Sequence, residues 1–278
     1  ADLQYYAEAA IETHLTGLQQ DFEKHLNGEN PWEIDTVLHL SKIFSDRYRL
    51  LRKRQVPHNV IDSIFETPVD MRIFSWEGEK QVRMSPMDSI KYYLGILNAG
   101  MLSMEPHTGR IKAWVGGIDY QYFKYDHVKS RRQVGSTFKP VVYATAISQG
   151  IPPCTYTSNS LRRYARYENW MPKNATNRYG GYFSMEGGLI NSINTVTVSM
   201  AMRARPKNVA ALAEDLGLRH RVPRVPAIAL GAIDASLMEM VNVYGTFANR
   251  GLRPEPYYIK RIETAQGKVL LDFESERD

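Results

Sequence analysis

Apolar residues recur at three- and four-residue steps through Leu3, Ala7, Ile11, Leu15, Leu18, Phe22 and Leu26, the period of one helix face. The spacing predicts a helix over residues 3–27, stopped by Asn27-Gly28. Val37, Leu38, Phe44, Tyr48 and Leu51 predict a second over 35–54, and residues 60–65 a short third. Residues 69–74 and 80–84 read as a hairpin turning at Glu77-Gly78. Ser85-Pro86 offers an N-cap and an N1 proline for a helix reaching about Asn98. A clearer hairpin follows: strands over 99–105 and 110–116 flank the turn sequence Pro106-His107-Thr108-Gly109.

Beyond an aromatic loop, residues 141–147 form an unbroken apolar run closed by Gly150, with Pro152 and Pro153 behind it. So continuous a run predicts a buried helix rather than a surface one. Residues 151–188 show no period, and loops of that length are uncommon unless functional. Residues 191–203 read as loop into helix, with Ser192-Ile193-Asn194 at the helix start, and further helices are expected over 207–216 and 233–249, the last with Asp234 as N-cap and Gly251 as its stop. A final hairpin pairs 257–263 with 268–273 around Gln266-Gly267.

A hydrophobic share of 43% in 278 residues is ample for a packed core. The single cysteine, Cys154, excludes an internal disulfide and a cysteine metal cluster, and the seven histidines show no metal-ligand spacing. No metal or cofactor is expected. Net charge is +5, with basic clusters over 49–54, 162–166 and 219–224. They read as solvated faces, or as surfaces for an anionic polymer or membrane headgroups. No apolar run is long enough to span a bilayer.

The chemistry-bearing stretch is Arg132-Gln133-Val134-Gly135-Ser136-Thr137-Phe138-Lys139-Pro140. Proline is tolerated only near a helix start, which puts Ser136 at or next to the N-cap. Residues three apart on a helix share a face, so the Ser136 hydroxyl and the Lys139 amine can meet. The positive end of the helix and burial both disfavour a lysine cation, and a neutral lysine can take a proton from a serine. A solvated lysine beside a capping serine satisfies the same spacing.

Ser136-Thr137-Phe138-Lys139 followed by Ser192-Ile193-Asn194 resembles the first two of three motifs shared by penicillin-binding proteins and serine β-lactamases. Residues 105–117 resemble the entry hairpin of bifunctional class A penicillin-binding proteins. Residues 132–143 resemble their active-serine segment, with Val134 in place of the usual proline. Trp170-Met171-Pro172-Lys173-Asn174 resembles the loop before the second motif, and Leu230-Gly231-Ala232 and residues 244–251 resemble the helical region after it.

The resemblance implies an α+β fold, an antiparallel sheet flanked by helices. Residues 1–98 would be a helical linker and the start of the transpeptidase domain, and 99–278 its core. It implies a D,D-transpeptidase that cross-links peptidoglycan stem peptides and is acylated by β-lactam antibiotics. Ser136 would be the nucleophile, Lys139 its base and Ser192 a proton relay to the departing D-alanine. Asn194 would hydrogen-bond substrate and orient Lys139. Trp170, Asn174 and residues 179–182 would line the cleft. The implied location is the extracytoplasmic face of a bacterial inner membrane, held by an anchor upstream; no nucleic-acid partner is implied.

The third motif, lysine-threonine-glycine, does not occur in the sequence, so one oxyanion donor is lacking and acylation by these residues alone is expected to be impaired. A penicillin-recognising sensor or scaffold and a β-lactamase are the alternatives. A sensor usually lacks the long class A linker. A β-lactamase needs a deacylating base, for which no glutamate motif is visible.

Overall fold

The computed structural model describes residues 2–273. It divides into two compact units. One takes the described residues up to Gly100 together with Val115–Tyr125; the other takes Met101–Trp114 and the residues from Asp126 on.

In the first unit, helices α1 (Asp2–Leu26), α2 (Asp35–Phe44), α3 (Asp46–Lys53) and α4 (His58–Glu66) precede strands β1 (Val69–Ile73) and β2 (Lys80–Met84) and helix α5 (Pro86–Leu94). The strands pair antiparallel with Met71 opposite Val82. The single helix expected over 35–54 is two. Ser45 takes an extended backbone, donates to Lys42 O at 2.6 Å and accepts from Tyr48 N at 3.2 Å, capping α3 where a continuous helix would have used its backbone. Ser85 caps α5 through Asp88 N at 3.1 Å, but α5 stops at Gly95, short of Asn98.

Gln19 explains that stop. It is buried on α1, donates to Gly95 O at 3.0 Å and accepts from Leu97 N at 2.8 Å, satisfying backbone groups at the helix end. The α1 period is right but its buried face is shifted: Leu3 and Leu18 are exposed, while Ala7, Leu15 and Gln19 are buried. Residues 115–125 pack into this unit, with the Phe123 ring 5.3 Å from Phe74 and 5.5 Å from Tyr93, and Tyr122 donating to Glu79.

The second unit begins with β3 (Met101–Met104), β4 (Ile111–Val115, whose last residue belongs to the first unit) and β5 (Arg131–Gln133). A 3-10 turn (Gly135–Phe138) leads into α6 (Lys139–Ser148). The stretch without sequence period holds two short strands, β6 (Thr157–Ser158) and β7 (Tyr182–Phe183), and helix α7 (Met185–Ile190). Then come α8 (Asn194–Ala204), α9 (Pro206–Asp215), a 3-10 turn (Pro226–Leu230), β8 (Asp234–Ser236), α10 (Leu237–Ala248), β9 (Arg261–Glu263) and β10 (Val269–Asp272).

The class is α+β, its strands arranged among the described residues as two-stranded ladders: β1–β2, β3–β4, β5–β8, β6–β7 and β9–β10. A bridge between Arg110 and Tyr257 ties the segment before β9 to the β3–β4 turn, through Ile111 N to Tyr257 O at 2.8 Å and Tyr257 N to Gly109 O at 3.0 Å. Asp234 is not a helix cap. It pairs with Gln133 in the β5–β8 ladder, and the helix starts at Ser236, which forms a capping box with Glu239.

Helix α6 lies in the core. Val141, Val142, Tyr143 and Ala146 are buried together with Val198, Met200 and Ala201 of α8 and Val209, Ala210 and Ala213 of α9. Each large apolar side chain enclosed this way contributes about 1.5–3 kcal/mol. Ile147, the last residue of the apolar run, is exposed, so the expected buried run ends one residue early.

Candidate functional site

Ser136 is the second residue of the 3-10 turn, not a cap of α6, whose first residue is Lys139. The turn is held from three directions. Val134 N donates to Ile233 O and Gly135 N to Gly231 O, both at 3.1 Å, and the Tyr244 hydroxyl donates to Thr137 O at 2.9 Å. Gly231 has φ +65°, and a Cβ there would overlap the Gly135 backbone, so this approach requires glycine. The Ser136 side chain is exposed and makes no hydrogen bond among the described residues.

Lys139 is its opposite: 1% exposed, although charged. Its Nζ lies 2.6 Å from Ser192 O, 2.9 Å from Ser192 Oγ and 2.7 Å from Asn194 Oδ1. Three acceptors match the three protons of an ammonium. Burial pushes the Lys139 amine down to about 8 from 10.5. The hydrogen bond expected between Ser136 and Lys139 is not formed. The lysine reaches instead to the α7–α8 junction, where its desolvated charge finds acceptors that Ser136 alone could not replace.

That junction is shaped for the contact. Ser192 adopts φ +51°, a left-handed conformation that costs a residue with a Cβ about 1–3 kcal/mol. Ser192 N and Ile193 N bond Leu189 O and Gly188 O at 3.0 and 2.9 Å, which ends α7 and aims the serine at Lys139. Asn194 opens α8, and its Nδ2 donates to Lys173 O at 2.8 Å. One turn deeper, the Tyr143 hydroxyl of α6 and Thr197 Oγ1 of α8 lie 3.0 Å apart, joining the two helices behind the lysine. Gly188 sits against this joint; a Cβ on it would come within 2.6 Å of Val196 and 2.8 Å of the Tyr143 oxygen.

Lys139, Ser192 and Asn194 are therefore brought together, with Ser136 one 3-10 turn before the lysine. Trp170 is half-buried against the core, its ring 6.0 Å from that of Tyr164. Asn174 is buried with its amide engaged by Asn159 Oδ1, Arg178 O and Thr195 N. Tyr182 is exposed. Asn159, Thr195 and Thr197 carry no motif, and the signal that would have found them is their position one step from motif residues in space; Tyr143 lies at the end of the matched segment 132–143, with no role assigned to it there. A cavity of about 700 Å³ is lined by Thr137, Val134, Met240 and Tyr244 but by neither Ser136 nor Lys139. The candidate site lies at Lys139 rather than there: Lys139 is buried, its amine is held below the usual lysine range, and it has specific polar partners.

The chain matches two family models: the penicillin-binding protein middle domain over residues 27–97 and the penicillin binding protein transpeptidase domain over 99–276. Penicillin-binding protein 1A of Aquifex aeolicus is 32% identical over 178 residues, covering 63% of this chain and 24% of that protein. The Rickettsia felis protein of the same name is 30% identical, covering 63% and 22%. The crystal structure of penicillin-binding protein 1A from Haemophilus influenzae superposes with a TM-score of 0.60 at 31% identity, over 63% of this chain and 27% of that one. The Mycobacterium tuberculosis PonA1 protein, solved in complex with penicillin V, shares the fold with a TM-score of 0.58 at 20% identity, over 85% of this chain and 65% of that one. The chain spans about a quarter of the length of the curated relatives.

Proposed function

Because the chain belongs to the penicillin-binding protein transpeptidase family, we propose that it carries the acyl-serine site of a peptidoglycan D,D-transpeptidase. Its substrates are the D-alanyl-D-alanine stem peptides, and β-lactams acylate the same serine. The observation that carries the reading is the buried Lys139, depressed to about 8 and bonded to both Ser192 Oγ and Asn194 Oδ1, one 3-10 turn from an exposed serine.

In its neutral form Lys139 accepts the Ser136 proton while Ser136 Oγ bonds to the donor carbonyl carbon. Ser136 lies in the first turn, where N–H groups have no acceptor inside the helix, and its N–H supplies one oxyanion donor. As the peptide C–N bond breaks, the proton passes from Lys139 through Ser192 Oγ to the departing D-alanine nitrogen. The acceptor amine then attacks the acyl-serine carbonyl. It loses a proton by the reverse route, and Ser136 is released with its hydroxyl restored.

In this reading residues 1–98 serve as a helical linker and the start of the transpeptidase domain, and 99–278 as its core. We place the protein at the extracytoplasmic face of the bacterial inner membrane, in a larger membrane-anchored protein. Among the described residues no helix is long and apolar enough to cross a membrane.

The test is covalent labelling of the full-length protein with a fluorescent penicillin, followed by mass analysis of the peptide containing residue 136. The expected result is an adduct on Ser136 that is lost in Ser136→Ala. Undiminished labelling of that variant would remove Ser136 as the nucleophile.

A further inference from the structure

We infer that Asn159 and Asn174 are positioning residues: with Thr195 they form a buried polar knot that fixes the first turn of α8, and thereby holds Asn194 against Lys139. The inference rests on the acyl-serine reading above.

Helix α8 has no side-chain cap of its own, since its N-cap residue is Ile193. The first N–H groups of a helix lack intrahelical acceptors, and burying them unpaired costs free energy. The acceptor for Thr195 N comes from elsewhere in the chain: Asn174 Oδ1, at 3.1 Å. Asn174 Nδ2 donates to Asn159 Oδ1 at 2.7 Å and to Arg178 O at 2.8 Å. Asn159 Oδ1 also accepts from Thr195 Oγ1 at 2.7 Å, which closes the ring. Asn159 is fixed in turn by its backbone, with Asn159 N to Gly181 O at 3.0 Å and Gly180 N to Asn159 O at 2.7 Å. Asn159, Asn174 and Thr195 are 6%, 7% and 5% exposed.

Two features separate this arrangement from ordinary loop packing. Both amide protons of Asn174 are donated to protein acceptors and its oxygen accepts from Thr195, so the side chain has no free donor for a substrate. The segment also grips two consecutive residues of α8. Lys173 O holds the Asn194 amide at 2.8 Å while Asn174 holds the Thr195 N–H. The other end of the Asn194 amide, Oδ1, is the acceptor for Lys139 Nζ at 2.7 Å. A shift of residues 173–174 therefore moves an acceptor of the lysine. A closed, satisfied network in a desolvated place defines a single geometry, and removing one member leaves buried partners unpaired.

The experiment follows β-lactam acylation of the full-length protein from pH 6 to 10 alongside thermal unfolding, for the natural protein, Ser136→Ala, Asn174→Ala, Asn159→Ala, Thr195→Val and Thr195→Ser. Loss of the asparagines lets Asn194 move and water reach Lys139. The expected result for Asn174→Ala and Asn159→Ala is acylation at pH 7 slowed on the order of ten- to a hundredfold. The midpoint of the pH–rate curve moves up from about 8 toward 10.5. Thr195→Val shifts in the same direction, and Thr195→Ser, which keeps the hydroxyl, restores the natural midpoint.

An unchanged rate and midpoint in the folded alanine variants overturns the inference. So does a slowed rate with an unmoved midpoint, which is the mark of a merely structural role. Should Asn174→Ala not fold, Asn174→Asp keeps the acceptor for Thr195 N while losing the donations to Asn159 and Arg178, and is read by the same two measures. Labelling of Ser136→Ala at the natural rate instead overturns the nucleophile assignment, an outcome distinct from failure of the positioning role.

Discussion

Lys139 sets two pH dependences of opposite origin. In its proposed role as base it acts only when neutral, and with its amine at about 8 the neutral fraction at pH 7 is on the order of a tenth. Acylation is expected to rise about tenfold per pH unit up to about 8 and to level off above it, measured as the rate of penicillin labelling. Removing the proposed relay hydroxyl with Ser192→Ala is expected to slow acylation by about 10²–10⁴-fold. Stability follows from linkage. Between about 8 and 10.5 the unfolded chain binds the lysine proton and the folded chain does not, so this group makes stability rise with pH across that window. Urea unfolding at pH 7.5 and pH 10 should show that rise in the natural protein and a smaller one in Lys139→Met; equal slopes in the two proteins would mean the amine is not depressed. The meeting of Lys139 with Ser192 and Asn194 was legible because the two motifs converge at one junction, whereas the Ser136–Lys139 hydrogen bond that the three-residue spacing suggested is not formed, since Ser136 lies in the 3-10 turn before the helix. The contacts of Asn159, Tyr143 and Thr197 were not legible, since they depend on which segments fold against α6 and α8. For Asn174 the sequence offered a cleft residue or ordinary loop packing, and the structure shows its amide engaged by protein groups, a distinction the sequence does not carry because a loop asparagine looks alike whether its amide faces solvent or bonds a distant helix.

Helix periods located nearly every helix, and the errors fell where a polar side chain or a strand partner ended one. Ser45 divides α2 from α3, Gln19 finishes α5, and pairing with β5 draws residues 234–236 out of the start of α10. Each ending depends on a contact that the local pattern does not contain. The two short strands within 151–188 and α7, which begins there, were invisible for the same reason, being too short for a period and held by partners distant in sequence. The turn that carries Ser136 depends on such contacts most. With Gly231 in the left-handed region against the Gly135 backbone, Gly231→Ala is expected to cost at least about 2 kcal/mol and to displace the turn. Denaturant unfolding measures the first effect and penicillin labelling the second. Glu239 is a second control point. It completes the Ser236 capping box, pairs with Arg131 of β5 at 3.1 Å and accepts from Arg219 N at 3.2 Å. Glu239→Ala is expected to lower stability by about 2 kcal/mol, more than the loss of an exposed cap, because Arg131 and the Arg219 amide lose a largely buried partner. A loss below about 0.5 kcal/mol would show that water replaces the carboxylate at little cost.

The two compact units do not meet at a single point along the chain. The sequence suggested a boundary near residue 98, where the helical segment gives way to the hairpin, and the two family matches meet there as well. The chain, however, returns to the first unit between Val115 and Tyr125 before entering the second unit for good. That return is built from aromatics: Phe123 packs edge-on against Phe74 and Tyr93, Tyr122 stacks on Tyr93 and donates to Glu79, and the hydrogen bond holds the Glu79 carboxyl below and the Tyr122 phenol above their usual ranges. The composition of this loop was visible in the sequence, but not its destination, since aromatic residues in a loop are equally consistent with a ligand cleft. The consequence is that a protein beginning at residue 99 carries Tyr122 and Phe123 without the surfaces they cover. Residues 99–278 are expected to be less soluble and to bind more of a hydrophobic dye than residues 1–278, since exposed clustered aromatics promote association. In the longer chain, Phe123→Ala is expected to destabilise the first unit by about 2 kcal/mol, the lower part of the range for removing a phenyl ring because Phe123 is only half-buried. Restoring solubility to residues 99–278 by substituting Tyr122 and Phe123 with serine would confirm that these two side chains are the cause. If the shorter chain proves as soluble as the longer one with both aromatics intact, the packing of residues 115–125 against Phe74 and Tyr93 is not what stabilises that segment.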